Sequence, residues 1–309
     1  MAGHRTPGPV CEGSASVYTR HGTLCLANLL PPAPIGTGEF QHMGADLTVA
    51  AAWVKHAVTP FAWRWGLDLG DGAHWGVDSS VASNAPVGGA RGPHHHRKTL
   101  FEHIATLARR KPEFWGRYIG GYYALTASEA DFLLGNGCSI LVIYNGAYDG
   151  AKSVRGGYQE GVKDANKAIA AATALSVPDH TYIYADIESG WRVTAKWLEG
   201  WSDTMHDSDF GGAGGVYANP MPSNAPRFNT PYCQAFNSDE KMRGSDGVRG
   251  GYIYSSEPEP GCGRAPGKYA PAAPPCNPNA VIWQYAEGCY SGLVDQDLAN
   301  DIGFWSMWR

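Results

Sequence analysis

From His74 onward, short apolar runs alternate with stretches of helical periodicity, and this alternation restricts the fold more than any other property of the chain. Ser139–Tyr144 is apolar almost throughout, the pattern of a parallel strand covered on both faces. Lys98–Arg110 places Leu100, Phe101, Ile104, Leu107 and Ala108 on one helical face. Thr126 with Glu129 three residues later has the form of a capping box, and Gly135-Asn136-Gly137 that of a helix stop. Tyr158–Leu175 and Thr194–Met205 read as further helices. Strands are expected at His74–Ser80, Phe114–Ile119, Ser139–Tyr144, Thr181–Ile187, Gly214–Asn219, Tyr232–Phe236, Ala280–Tyr285 and Leu293–Leu298. Residues 237–279 read as one long Gly/Pro loop. Such alternation over ~235 residues predicts an α/β fold, a (β/α)8 TIM-type barrel with degenerate late helices. An open doubly wound sheet is the competitor. No G-x-G-x-x-G follows the first strand, and Gly211–Gly215 precedes a strand rather than a helix.

The domains expected are an irregular N-terminal extension, residues 1–73, and a barrel, residues 74–309. Leu30–Pro34 reads as linker and Asp46–Val58 as a short helix. Only 17% of the 309 residues are charged and the net charge is −5, which argues against a nucleic-acid footprint. Val49–Val54 is too short to span a membrane, and Met1–Gly8 has no signal-peptide pattern. The seven cysteines form no C-x-x-C pair. Cys11 with Cys25, and Cys262 with Cys276, are candidate local disulfides in an oxidising compartment. His94–His96 stand in a loop; three adjacent histidines cannot all face one metal from a regular element, so no metal site and no cofactor is expected.

The chemistry concentrates at strand ends. Thr181–Gly190 is an apolar strand that terminates in Asp186 and Glu188. Residues i and i+2 of a strand share a face, with Cα atoms ~6.6 Å apart. Two carboxylates this close repel, and one is then held protonated as an acid while its neighbour stays ionised. The competing reading is a solvated strand end whose acids cap the next helix. Asp78 ends the first strand, and Asp295 and Asp297 lie in the last. In a barrel, catalytic groups collect at the C-terminal ends of the strands. Tyr144, Tyr217, Trp283 and Gln284 fall near strand ends as well. Acids for protonation, aromatics for stacking and amides for hydroxyls describe a carbohydrate pocket.

Four segments in order, Gly76–Ser80, Tyr184–Glu188, Ile282–Tyr285 and Val294-Asp295, resemble the landmark segments of family-25 glycoside hydrolases, the muramidase-type lysozymes. The intervening chain more closely resembles a related glycoside-hydrolase-like barrel family, domain-of-unknown-function family 1906. The matching parts are Arg117–Ile119, Leu125-Thr126 with Glu129, the helix from Gly161 to Ala172 with Asp164, and Gly215–Tyr217. The resemblance covers roughly residues 74–300. It implies a barrel with an acidic groove for bacterial cell-wall glycan. By family position Glu188 is the general acid. Asp186 stabilises positive charge on the sugar or assists a nucleophilic acetamido group, and Asp78 and Asp295 line the site. Tyr144, Tyr217, Trp283, Gln284 and Asp297 are the candidate substrate-binding residues. Asp297 stands where the lysozymes typically carry Asn. The expected function is a glycoside hydrolase acting on peptidoglycan or a related amino-sugar polymer, outside the cell, at its envelope or on a particle. The alternative is a catalytically silent glycan-binding or envelope- or virion-associated barrel.

Overall fold

A computed structural model describes residues 16–19, 22–25, 73–91, 97–244, 250–263 and 266–309. The chain divides into two compact units, Met1–Trp53 and Val54–Arg309. In the first, β1 (Ser16–Thr19) and β2 (Gly22–Cys25) pair as an antiparallel hairpin. The expected helix at 46–58, His94–His96 and Cys11 lie outside the described residues.

In the second unit eight strands close into a barrel. In chain order they are β3 (His74–Asp78), β6 (Phe114–Ile119), β7 (Ser139–Tyr144), β8 (Ile183–Asp186), β9 (Gly215–Ala218), β10 (Tyr252–Ser256), β11 (Ala280–Gly288) and β12 (Val294–Ala299). A small hairpin, β4 (Pro86–Arg91) with β5 (Arg97–Thr99), interrupts the path from β3 to the first helix. Helices α1 (Leu100–Ala108), α2 (Ala127–Gly135), α3 (Tyr158–Ala174) and α4 (Ala195–His206) follow the early strands. After β9 come α5 (Asn229–Ser238) and two short helices, α6 (Glu240–Arg243) and α7 (Asp301–Trp305). The architecture is the TIM-type barrel that the alternation predicts.

Direction sets one difference from a fully parallel barrel. Strands β3 and β6 to β11 run parallel, whereas β12 runs antiparallel to both β11 and β3. The start of β12, not its end, therefore lies beside the C-terminal end of β3. Asp295 pairs with Asp78, and Asp297 with Gly76 one step deeper.

Two sequence expectations fail here. Tyr232–Phe236 is part of helix α5, which buries Asn229, Tyr232 and Ala235 at helical three-residue spacing. The sixth barrel strand is instead β10, inside the stretch expected to be loop. The pairing Cys262–Cys276 also fails. Cys276 is bonded to Cys233 of α5, and Cys262 to Cys289 beside the end of β11. The folded chain brings both partners from other elements, and residues 257–279 are fastened at two separate places. Cys138 is a free, buried thiol.

Alternation along the strands divides the core. Phe114, Leu141, Ile143, Tyr182, Tyr184, Tyr252, Tyr254 and Ile282 fill the barrel interior, while the larger cluster packs the strands against the helices. Met307 joins the interior cluster, and Trp308 exchanges backbone hydrogen bonds with Ile140, so the chain end closes the N-terminal side of the barrel. The opposite end gathers the C-termini of the parallel strands, and a glycine makes room there. A Cβ on Gly116 would meet Asp78 Cβ at 2.5 Å, so this glycine lets the β3 carboxylate turn inward.

Candidate active site

The C-terminal end of the parallel strands collects the acids. Asp78 ends β3, Asp186 ends β8, and Glu188, two residues beyond the strand, is close enough to raise the Asp186 carboxyl. The reversal of β12 brings Asp295 beside Asp78 from the opposite chain direction. Tyr217, Tyr254 and Gln284 enter from β9, β10 and β11, and Tyr217 and Tyr254 meet edge-on with ring centroids 4.8 Å apart.

One hydrogen-bonded chain holds most of these groups. Tyr217 Oη donates to Gln284 Oε1 at 2.9 Å. That fixes the amide, whose Nε2 donates to Asp78 Oδ2 at 2.8 Å. Tyr254 Oη lies 2.7 Å from the same Asp78 oxygen and 2.8 Å from Asp297 Oδ1. Asp295 Oδ1 accepts the backbone N–H of Gly288 at 2.6 Å. Asp186 and Glu188 stand apart: no described residue donates a hydrogen bond to either carboxyl group, and neither belongs to an ion pair. Arg117 of β6 is engaged elsewhere. It is buried with its Nε 2.8 Å from Glu129 Oε1, and it donates to the carbonyls of Ser79 and Tyr123. Glu129 also accepts the N–H of Ser83 at 2.7 Å. The expected capping box is thus half formed, since Thr126 accepts from Glu129 N while the Glu129 side chain turns to Arg117.

Crowding and like charge raise the whole set. Burial, then Glu188 and Asp78, push the Asp186 carboxyl well above the usual range. Burial, then Glu287 and Asp78, raise Glu188, whose residue still reaches solvent at the rim. Burial raises Asp78 against the hydrogen bonds it accepts from Tyr254 and Gln284. Asp295 is pushed up to about 7, by burial and by Asp78, against the stabilising Gly288 N–H. A site of raised carboxyl groups, one of them near neutrality, offers proton donors and acceptors for acid–base chemistry.

The candidates do not all meet. Asp78, Asp186, Glu188, Asp295, Tyr217 and Gln284 converge on the mouth. Tyr144 does not: on β7 it alternates with the inward Leu141 and Ile143, so it faces outward and stacks on Trp201 of α4 at 5.8 Å. Trp283 is likewise the outward neighbour of Gln284, donating its indole N–H to Glu257 O and packing edge-on to Tyr269. Asp297 points inward but lies below the mouth with 0% exposure, out of reach of a substrate. Three participants escaped the sequence reading. Tyr254 sits on β10, inside the stretch expected to be loop. Glu287 raises Asp78, Glu188 and Asp295 from the end of β11. Tyr118 lies among Asp78, Asp186, Glu188 and Asp295, and its hydroxyl is raised by burial and by all four. The period-two pattern Tyr252-Ile253-Tyr254 was the available signal for Tyr254.

Raised carboxyl groups fix the sign of a stability measurement. The native chain binds more protons than the unfolded chain between the ordinary Asp range and about 7 for Asp295. Stability therefore falls as pH rises through that window, by at most about 1.4 kcal/mol per pH unit for each differential proton. Thermal unfolding should show a midpoint that declines from about pH 5 to about pH 8, and Asp295→Asn should flatten the decline. A midpoint that rises across the window would contradict the assigned burial.

Comparison with known proteins agrees with this architecture. The sequence profile of the Rv2525c-like, glycoside hydrolase-like domain family matches residues 105–257. Among solved structures, the chain is similar to an uncharacterized B. stearothermophilus protein at 30% identity, covering 76% of this chain and 100% of that one, with a TM-score of 0.61. It is also similar to the Mycobacterium tuberculosis Tat-secreted protein Rv2525c, at 20% identity, 76% and 99% coverage and a TM-score of 0.46. A family 25 glycosyl hydrolase from Bacillus anthracis aligns at 13% identity, 75% and 91% coverage and a TM-score of 0.38. No curated protein matches the sequence significantly. The profile match and the 30% identity over the whole B. stearothermophilus chain together show that this chain belongs to the Rv2525c-like, glycoside hydrolase-like family.

Proposed function

We propose that the barrel is a glycoside hydrolase that cleaves peptidoglycan or a related amino-sugar polymer. The observation that carries this reading is the free acid pair. Asp186, buried, and Glu188, exposed, lie beside Asp78 with no described cation or hydrogen-bond donor on either carboxyl group. An acid cluster kept for stability alone would be paired, since an uncompensated buried carboxylate is costly. Groups that a substrate must reach are left open.

Glu188 is the proton donor to the leaving glycosidic oxygen, raised and solvent-reaching. Asp186, itself raised by burial, faces the oxocarbenium-like sugar as the proton leaves Glu188 and stabilises its charge, or orients a substrate acetamido group toward it. Asp78 and Asp295 shape the field beneath them, and Gln284 and Tyr217 supply amide and hydroxyl contacts. A polymer also needs a surface beyond the reacting sugar. Tyr122 and Tyr123 follow β6, Tyr148 follows β7, and the exposures of the three rings are 84%, 64% and 46%. Loops after barrel strands lie at the mouth, where such rings can stack on sugar faces.

Two disulfides, Cys233–Cys276 and Cys262–Cys289, favour an oxidising compartment, in keeping with action outside the cell or at its envelope. No described helix is long and apolar enough to cross a membrane. The test is release of new reducing ends from purified peptidoglycan, with chitin oligomers alongside. Cleavage of either supports the hydrolase. Binding without cleavage would leave a glycan-binding barrel, and inertness toward both would make the substrate class wrong.

A further inference from the structure

Tyr254 has one proton to offer to two buried carboxyl groups. Its hydroxyl oxygen lies 2.7 Å from Asp78 Oδ2 and 2.8 Å from Asp297 Oδ1. A phenol has one hydrogen to donate. If that hydrogen goes to Asp78, the contact with Asp297 needs a hydrogen of its own, and only a carboxylic acid can bring one. With both carboxyl groups ionised, that one hydrogen would have to be shared in a weaker three-centre bond between two adjacent buried anions.

The surroundings decide which acid is neutral. Asp78 Oδ2 also accepts Gln284 Nε2 at 2.8 Å, and the amide is held in that orientation by Tyr217 at 2.9 Å. Two donors converging on one oxygen favour the anion there. Asp297 has 0% exposure, and its Oδ2 has no hydrogen-bond partner. The charged and titratable groups around it are Asp78 from β3, Tyr254 from β10, Tyr285 from β11 and Asp295 from its own strand. Gln284 stands beside it on β11, and Gly76 opposite on β3 brings no side chain. No described Lys, Arg or His pairs with it. A buried carboxylate in such a place would lack both a cation and a partner for one oxygen.

We propose that Asp297 is a neutral carboxylic acid that donates to Tyr254, so that the chain Asp297→Tyr254→Asp78 keeps Asp78 as the one anion of the pair. Asp297 is then a positioning residue. It never touches substrate and acts by fixing the direction of the Tyr254 hydroxyl, which in turn holds Asp78. Burial and the nearby Asp78 push the Asp297 carboxyl upward, in the same sense. The inference does not depend on the hydrolase reading, because its readouts are spectroscopic and thermodynamic.

The test is carbon NMR of protein labelled at the Asp carboxyl carbon, from about pH 5 to about pH 9, on wild type and Asp297→Asn. The expected result is a resonance that keeps the neutral-acid position beyond neutral pH and disappears in Asp297→Asn. Asn preserves shape and donor without a titrating proton, so the unfolding midpoint of Asp297→Asn should approach or pass that of wild type as pH rises. Tyr254→Phe provides a second route should Asp297→Asn fail to fold. It must displace the same neutral-acid resonance, whose carboxyl group has lost its partner. Every Asp resonance reaching the carboxylate position by neutral pH would overturn the proposal. So would a set of neutral-acid resonances that keeps its full number in Asp297→Asn, or of which none responds to Tyr254→Phe, since Asp186 and Asp295 are also raised and give resonances of their own.

Discussion

Replacing Glu188 with Gln should lower the rate of glycan cleavage by about 10²- to 10⁴-fold, the range for loss of a general acid. Gln keeps the length and planarity of Glu but has no carboxyl proton to give. The fold should survive, because no described residue is hydrogen-bonded or ion-paired to the Glu188 side chain. The substitution also removes a like charge that raises Asp186. Stability at neutral pH should therefore hold or rise while activity falls, the pattern of a site kept strained for function. Parallel rate measurements and thermal unfolding of the two proteins check both halves. Activity within a few-fold of wild type would remove Glu188 from the acid's role.

Replacing Arg117 with Leu should cost about 3–5 kcal/mol of stability, the usual effect of stranding one member of a buried ion pair. Arg117 and Glu129 are both 1% exposed, and the guanidinium also ties down the carbonyls of Ser79 and Tyr123. Ser79 follows Asp78 directly, so the loss reaches the site as well as the fold. Total stability of a domain is commonly only about 5–15 kcal/mol, so this one change is a large share. Adding Glu129→Leu to Arg117→Leu should recover part of the loss by removing the stranded carboxylate. Denaturant unfolding of the single and double variants measures this, and an additive double loss would contradict the pairing.

Much of the barrel was legible because its parallel strands are covered on both faces and read as apolar runs. Ser139–Tyr144 is the clearest. The same uniformity hid which face each residue takes, so Tyr144 was expected at the mouth although it points toward α4. Trp283 failed for a related reason: adjacent residues of a strand face opposite ways, and Gln284 already held the inward place. The strand Tyr252–Ser256 was lost among Gly and Pro, while Tyr232–Phe236 looked strand-like because its aromatic content outweighed its helical spacing. Strand direction is not written in local sequence at all. The acids of β12 were found from residue type, but their placement beside Asp78 follows from its reversal. Asp186 and Glu188 were legible because carboxylates at strand spacing after a buried run are chemically conspicuous. The disulfide partners were not, since pairing depends on which elements the fold brings together.

The central claim is that the acid pair at the barrel mouth directs water onto a glycosidic bond. The direct measurement is mass spectrometry of fragments formed from purified peptidoglycan in water enriched in oxygen-18. Hydrolysis places one solvent oxygen at each new reducing end. The account predicts labelled reducing ends with wild type and a loss of at least about 10²-fold in their yield with Glu188→Gln. Unlabelled fragments, or no fragments from a protein that still binds the polymer, would contradict it.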